Sequence, residues 1–488
     1  MMCGVSFNSV PFWTFCLIVV AGSYLTPQRF RWLWLLTASY LFYGTFDVRI
    51  LGVLVGLTVF VYGASRLMER ASGSTRRLLF LANIGVPLAA LVIFKYLTLF
   101  WQAIHRLSEI VVRSGPVEPF NILVPIGISF YVFKLLSYAI DVYRGTIQAE
   151  THVGYFALYV SYFPQILAGP IERPGDFLPQ LRRPVRFDPT AIMAGARLIA
   201  WGLFKKMVVA DRLAFYVDEV FRSPQYKSLH LVFAAYFYYV QIYCDFSGYS
   251  DISTGLSRTL GLTPPINFNY PYLSRSVSEF WKRWHITLSS WLRDYLFLPI
   301  AYGVMRRIKT DRAFGVRAET WGYGIGTFVT MALGGLWHGA GWTFVAWGVL
   351  HGVYQIVSTA TRTMRRRACR ALRLNRVPRL HAALKVLIVF HLVTFAWILF
   401  RSTSFEHVRM YLRYFQFRLP SIGMANLLLD LAVVCVFFGM EYVQRHRARF
   451  VVLDRVPLEL KAVGYALFVA ALMTFSVAAN NPFIYFRF

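Results

Sequence analysis

Ten runs of apolar residues, separated by short and mostly basic connections, decide what this chain can fold into. They lie near residues 11–26, 32–46, 48–64, 78–101, 121–140, 190–210, 229–247, 383–400, 427–444 and 462–480. In a bilayer every backbone N–H and C=O must be satisfied within the protein, so apolar runs of this kind are spans of α-helix. The alternating ten-residue segments of a membrane barrel are absent from the sequence. Composition agrees: 57% of residues are hydrophobic and 15% charged, where a soluble chain carries about a quarter charged residues. The expected fold class is an all-α polytopic membrane protein, with about ten transmembrane helices in one integral domain over residues 1–488. Met1 to Val10 contains no Lys or Arg. The first run therefore reads as a retained span and not a cleaved leader.

The formal net charge is +28, which would suit nucleic acid if it were spread over a soluble surface. It is instead concentrated at 66–77, 173–186, 306–317, 362–379 and 445–455, between apolar runs. That is the positive-inside pattern, so these segments are expected in the cytoplasm against the lipid bilayer, and a nucleic-acid partner is not expected. Connections near Asp47, 109–118 and 404–406 are less basic and are expected outside, which leaves both termini extracytoplasmic. The pair Lys205–Lys206, near one end of a span, fits least well. Five cysteines (Cys3, Cys16, Cys244, Cys369 and Cys435) form no CxxC pair, so neither a disulfide framework nor a zinc site follows.

Two further apolar regions are broken. Tyr155 to Ile171 is interrupted by Pro164, Gly169 and Pro170, and Trp321 to Val357 by Gly334, Gly335, Gly339 and Gly341. Irregular backbone at membrane depth must be buried in protein or line a cavity, so both regions point at a site and are expected to be re-entrant. A helix over Trp321 to Trp337 would be roughly 25 Å long at 1.5 Å per residue. It would stop short of a hydrocarbon core about 30 Å thick and leave His338 within the membrane profile.

His338, in Gly335-Leu336-Trp337-His338-Gly339-Ala340, is the leading candidate for chemistry. Imidazole takes and returns a proton near neutrality, and the flanking glycines leave room for a substrate. No Asp or Glu lies between Trp321 and His351, which counts against a Ser-His-Asp triad and against a metal at this place. His285 closes Phe280-Trp281-Lys282-Arg283-Trp284-His285. There Phe280, Trp284, Leu288 and Trp291 recur at helical spacing, as in a helix lying at the membrane surface. Lys282, Arg283 and Arg293 can attract phosphates beside it, and Glu279 can pair with Arg283 four residues on. Asp245, in a third polar cluster over Tyr243 to Asp251, needs a partner at membrane depth, with an arginine expected.

Together these segments resemble the membrane-bound O-acyltransferases (MBOAT). The residues that carry the likeness are Phe280 to Tyr295, Gly335 to Ala340, Tyr243 to Asp251, Pro164 to Ile171 and the terminus Asn481-Pro482-Phe483-Ile484-Tyr485-Phe486-Arg487-Phe488. Within the family they are similar to the bacterial branch of alginate O-acetylases and teichoic acid D-alanine exporters. The resemblance implies helices around a central funnel, with His338 as catalytic histidine. It puts His285 where this branch carries a second polar active-site residue, commonly Asn or Asp in eukaryotic members. It also implies acetyl-CoA as donor and no metal. Further implied are a periplasmic polysaccharide O-acetyltransferase with its biosynthesis proteins as partners, and residence in a bacterial inner membrane.

The mechanism stays open between His338 as general base and a covalent acyl-histidine. Tyr485 is the only hydroxyl-bearing residue in 480–488. It is a candidate relay that would carry the acyl group outward, with His338 as its base if the tail folds inward. Competing classes are a transporter, which also breaks helices at membrane depth but more often shows internal repetition, and a scaffold for an extracytoplasmic enzyme without chemistry of its own.

Overall fold

The computed structural model describes residues 9–112, 123–223, 229–308, 310–414, 424–446, 457–476 and 483–484. Each of the ten apolar runs overlaps a helix. These are α1 (Val10–Leu25), α2 (Gln28–Gly44), α3 (Val48–Arg70), α4 (Gly73–Val112), α5 (Ile128–Arg144), α8 (Pro189–Leu203), α10 (His230–Thr259), α17 (Pro378–Arg401), α19 (Met424–His446) and α20 (Leu458–Phe475). Among the described residues, four helical stretches are long and apolar enough to cross a bilayer by length and composition: Val48–Arg70, Gly73–Leu97, Pro378–Arg401 and Asn426–Arg445. Many apolar side chains on the helices are exposed, as Leu17, Leu78, Leu387 and Leu467 are, while polar Ser39, Thr58, Ser65, Lys134 and Asp245 are buried with the apolar core. Exposed apolar surface around buried polar groups suits lipid as the surrounding solvent.

Between the long helices lie α6 (Val153–Ser161), α7 (Pro174–Arg182), α9 (Asp211–Arg222), α11 (Val277–Trp281), α12 (Ile286–Leu292), α13 (Leu298–Arg307), α14 (Ala318–His338), α15 (Trp342–Ala360), α16 (Arg362–Ala371) and α18 (Phe405–Arg413). A two-stranded hairpin precedes α14, pairing Arg312 with Arg317 and Ala313 with Val316. Its turn residues Phe314 and Gly315 both have positive φ, 51° and 75°, the backbone that a tight two-residue hairpin turn requires.

The chain divides into two compact units. One comprises Met1–Ile199 and Ser250–Ile266; the other comprises Ala200–Tyr249 and Asn267–Phe488. The first unit holds the first broken region. Its backbone leaves helix after Ser161, and Tyr162, Phe163, Gln165, Ile166, Leu167, Ala168, Ile171 and Glu172 are all buried. Lys134 Nζ donates to the Tyr159 carbonyl at 3.0 Å and to Gln165 Oε1 at 3.2 Å. Gln165 Nε2 in turn donates to Glu172 Oε1 at 2.7 Å. The irregular backbone is thus enclosed in protein, as membrane depth demands.

The second broken region, in the other unit, differs from the sequence reading. Helix α14 runs unbroken through Gly334 and Gly335 and has 21 residues, about 31 Å of helix at 1.5 Å per residue. It starts at Ala318, straight out of the hairpin, so its length alone does not leave it short of a ~30 Å core. The break is confined to Gly339–Gly341. Gly335 and Gly348 serve packing between α14 and α15. A Cβ on Gly335 would lie 2.3 Å from the Phe344 carbonyl oxygen, and one on Gly348 would lie 2.1 Å from that of Met331. Only glycine lets two backbones approach this closely.

Gly348→Ala should therefore push α14 and α15 apart, at a cost of about 1–3 kcal/mol as for other overpacked sites. Gly324 has nothing within 4 Å of its would-be Cβ, so Gly324→Ala is the control. Thermal unfolding in detergent should drop for the first variant and stay unchanged for the second.

Candidate active site

His338 is the last residue of α14, and it is 4% exposed. Its ring packs at 4.8 Å on Trp337, 5.1 Å on Trp347 and 5.3 Å on Phe400, edge to face in each case. The glycine after it has a structural reason: a Cβ on Gly339 would meet the Phe344 ring at 2.3 Å. The sequence Trp-His-Gly thus ends a helix on an imidazole and folds an aromatic ring back over the exit.

His285 is held differently. The segment that precedes it is not one continuous surface helix. Helix α11 is started by Ser276, whose Oγ accepts the Glu279 N–H at 3.1 Å, while Glu279 Oε2 accepts the Arg275 N–H at 2.9 Å. The helix stops after Trp281, and His285 takes a left-handed backbone, φ 41° and ψ 56°, before α12 begins. For a residue with a Cβ such a conformation costs of order 1–3 kcal/mol and persists only where its surroundings enforce it. Here a neighbouring strand-like segment does so: Ile286 N–H donates to the Asn267 carbonyl at 2.9 Å, and Asn269 N–H donates to the Arg283 carbonyl at 2.9 Å. Phe280, Trp284, Leu288 and Trp291 are all buried inside the unit. The interfacial-helix reading fails because the break re-aims these side chains into the core.

Asn267 also fixes the imidazole. The backbone N–H of Thr287 donates to its Oδ1 at 3.3 Å and the Thr287 hydroxyl at 2.9 Å. A main-chain N–H can only donate, so that side-chain atom is the oxygen, and His285 Nδ1, 3.1 Å away, must carry a proton toward it. Neutral His285 therefore keeps its lone pair on Nε2. This is the tautomer control that catalytic histidines need.

Trp337 joins the two histidines to one aromatic cluster, its ring 6.4 Å from that of His285 and 4.8 Å from that of His338. Trp347 extends the cluster to Trp397 at 5.5 Å and to His351 at 5.0 Å. His351 and Asn267 escaped the sequence reading. Asn267 stands out only as an amide in an aromatic stretch, and His351 only as a second histidine in the apolar run after His338. Trp281 Nε1 donates to His351 Nδ1 at 3.3 Å, so the neutral ring carries its proton on Nε2. Neither that N–H nor those of Trp347 and Trp397 has a hydrogen-bond partner among the described residues.

The expected basic trio separates. Arg283 pairs with Glu279 at 2.8 Å, as expected from the spacing. It also lines a cavity of about 330 Å³ with Arg275, Arg445, Glu279, Leu273, Ala382, Ala383 and Val386. Lys282 and Arg293 are exposed and do not line that cavity; Arg293 pairs with its neighbour Asp294 at 2.8 Å. Asp245 finds its partner in Lys206 at 2.7 Å, not in an arginine. Lys205 donates to Ser247 Oγ at 2.9 Å. The lysine pair that fitted the charge pattern least is therefore buried and internally paired, so it says nothing about which side of the membrane it faces. Tyr485 lies outside the described residues.

A family model described as "MBOAT, membrane-bound O-acyltransferase family" matches residues 35–402. The chain is 38% identical over 480 residues to "Probable alginate O-acetylase AlgI" of Pseudomonas aeruginosa, covering 94% of this chain and 83% of that protein. It is 34% identical over 509 residues to the protein of the same name from Azotobacter vinelandii, covering 95% and 96%. A more distant relative, "Teichoic acid D-alanyltransferase" of Bacillus subtilis, is 26% identical over 329 residues, covering 67% and 80%. The matched stretch contains His285, Asn267, His338 and His351, and the chain belongs to the membrane-bound O-acyltransferase family, multi-pass membrane acyltransferases.

Proposed function

We propose that this acyltransferase takes an acetyl group from a cytoplasmic thioester donor, acetyl-CoA, and passes it across the membrane for O-acetylation of an extracytoplasmic polysaccharide. The observation that carries this reading is the pair of buried histidines in one aromatic cluster, one ending a helix at a glycine break and the other with its tautomer fixed by Asn267. In that reading His338 is the general base. It takes the proton from an acceptor hydroxyl as the oxygen bonds to the acyl carbon; the carbon–sulfur bond breaks, and the imidazolium returns the proton to the departing thiolate. His285 Nε2 orients the reactants. Trp347, against His338 at 5.1 Å, is a buried N–H donor of the kind that steadies charge developing on the acyl oxygen. Arg283, Arg275 and Arg445 around their cavity suit the phosphates of the donor, whereas Lys282 and Arg293 are placed to act on them only from the surface.

The acceptor hydroxyl is that of Tyr485, which becomes an aryl ester and then gives the acetyl group to a periplasmic polysaccharide O-acetyltransferase. Alginate is the polymer that the names of the relatives suggest. The ten-span topology around a funnel, inner-membrane residence and extracytoplasmic termini belong to the same reading. They are supported by the basic connections, above all α16, which has no buried residue.

Three outcomes test this. His338→Ala should insert and accumulate normally yet lose polysaccharide acetylation by about 100-fold or more, the scale of a lost general base. Acetylation near the parent level would remove His338 from the chemistry. Tyr485→Phe deletes one oxygen and keeps the ring; a relay loses acetylation as fully as His338→Ala does, and substantial residual activity would leave transfer to the partner without a tyrosyl ester. A cysteine introduced by Arg366→Cys, in a variant without native cysteines, should resist an impermeant maleimide until the inner membrane is opened. Labelling from outside would invert the orientation.

A further inference from the structure

Lys206 sits in a π-helical turn, Phe204–Ala210, that continues α8. Such turns carry one extra residue and recur at functional sites. This one is wedged against α10: a Cβ on Gly248 would lie 2.8 Å from the Gly202 carbonyl oxygen and 3.3 Å from the Lys206 nitrogen. The close approach brings Lys206 Nζ to 2.7 Å from Asp245 Oδ1 and 2.8 Å from Asp211 Oδ1. All three residues are buried. Lys206 thus bridges two carboxylates, one on each of two helices.

The other oxygen of Asp245 has a different partner. Asp245 Oδ2 accepts the backbone N–H of Ile484 at 2.8 Å. The Phe483 ring lies over Lys206, its centroid 4.5 Å from Nζ, and edge to face with Tyr249 at 5.1 Å. Phe483 and Ile484 are 5% and 7% exposed. Both charges of the pair are therefore also turned toward the chain's own C-terminal segment, one to its main chain and one to an aromatic ring. Apolar contact alone would hold a greasy tail but would let it slip along its path. A charge-assisted hydrogen bond to one particular N–H fixes register.

We propose that the Lys206–Asp245 pair is a dock for the C-terminal segment and that both are positioning residues for Tyr485, the next residue in the chain after Ile484. The docking rests on the contacts above; only its purpose, presenting a tyrosine hydroxyl, rests on the relay reading.

The test uses the full-length protein without native cysteines and with Ile484→Cys, purified in detergent, and reads the rate of maleimide modification of the introduced thiol. With the dock intact the thiol should react slowly. Asp245→Asn or Lys206→Met should raise the rate at least about tenfold and lower polysaccharide acetylation in cells, since an undocked tail presents nothing. Removing one member of a buried pair strands the other charge. If the single variants do not accumulate, Lys206→Met with Asp245→Leu removes both charges and the acceptor together, and should likewise unmask the thiol. Rapid modification in the parent, or an unchanged slow rate in the double variant, overturns the dock. Tyr485→Phe separates the two readings: it should leave the introduced thiol protected. If acetylation survives in Tyr485→Phe while the thiol remains protected and Asp245→Asn exposes it, the dock stands and the relay falls.

Discussion

A peptide group that lipid surrounds cannot borrow a hydrogen bond from water, and each one left unpaired costs several kcal/mol. Three irregular stretches among the described residues answer to that constraint. Residues 162–172, the left-handed turn at His285 and the glycine break after His338 are all places where a helix ends early, and each is enclosed. The first is tied to Lys134, Gln165 and Glu172. The second is laced to Asn267 and Asn269 by main-chain hydrogen bonds. The third is covered by Phe344 folding over Gly339. Both histidines stand at such breaks.

The same constraint explains how much was legible in the sequence. Apolar runs are legible as such, and each of the ten overlaps a helix, four of them long and apolar enough to cross a bilayer among the described residues. Breaks are written as Gly and Pro, so the two broken regions were found, but a glycine has two uses that look alike in one dimension. Gly339 follows the end of a helix, whereas Gly335 and Gly348 stay helical and let neighbouring backbones touch. The stretch from Phe280 to Trp291 misled for a related reason. Its aromatic spacing is helical, but the backbone turn at His285 is imposed by Asn267, a residue 18 positions away that no local pattern connects to it. His351 and the Trp281 indole that donates to it are likewise joined only by the fold.

Charges followed the same division. The arginines of α16 are exposed. Lys206, of the lysine pair that fits the positive-inside pattern least, is paired inside with Asp211 and Asp245, while Arg212 pairs with Asp430 at 2.9 Å and Arg401 with Asp218 at 2.7 Å in half-buried positions. Glu441 is buried too, with the Tyr243 hydroxyl donating to Oε1 at 2.9 Å and that of Tyr272 donating to Oε2. Sequence alone announces that a buried Asp245 needs a cation, but the choice of Lys206 was made by a π-helical turn and a glycine contact, neither of which has a compositional signature.

The left-handed backbone at His285 sets a rule for what else could occupy that position. Most residues with a side chain avoid positive φ, but Asn, Asp and His are several-fold enriched there. Those are the three residues that the family resemblance leads one to expect at the second polar site. The shape of the main chain would then act as a filter on the chemistry. A substitution such as Gln or Lys can offer similar polar atoms but meets this backbone at a higher cost, while Asn adopts it more readily and gives up the ability to carry a proton. Exchange at this position would thus be confined to a short alphabet by geometry before catalysis has any say.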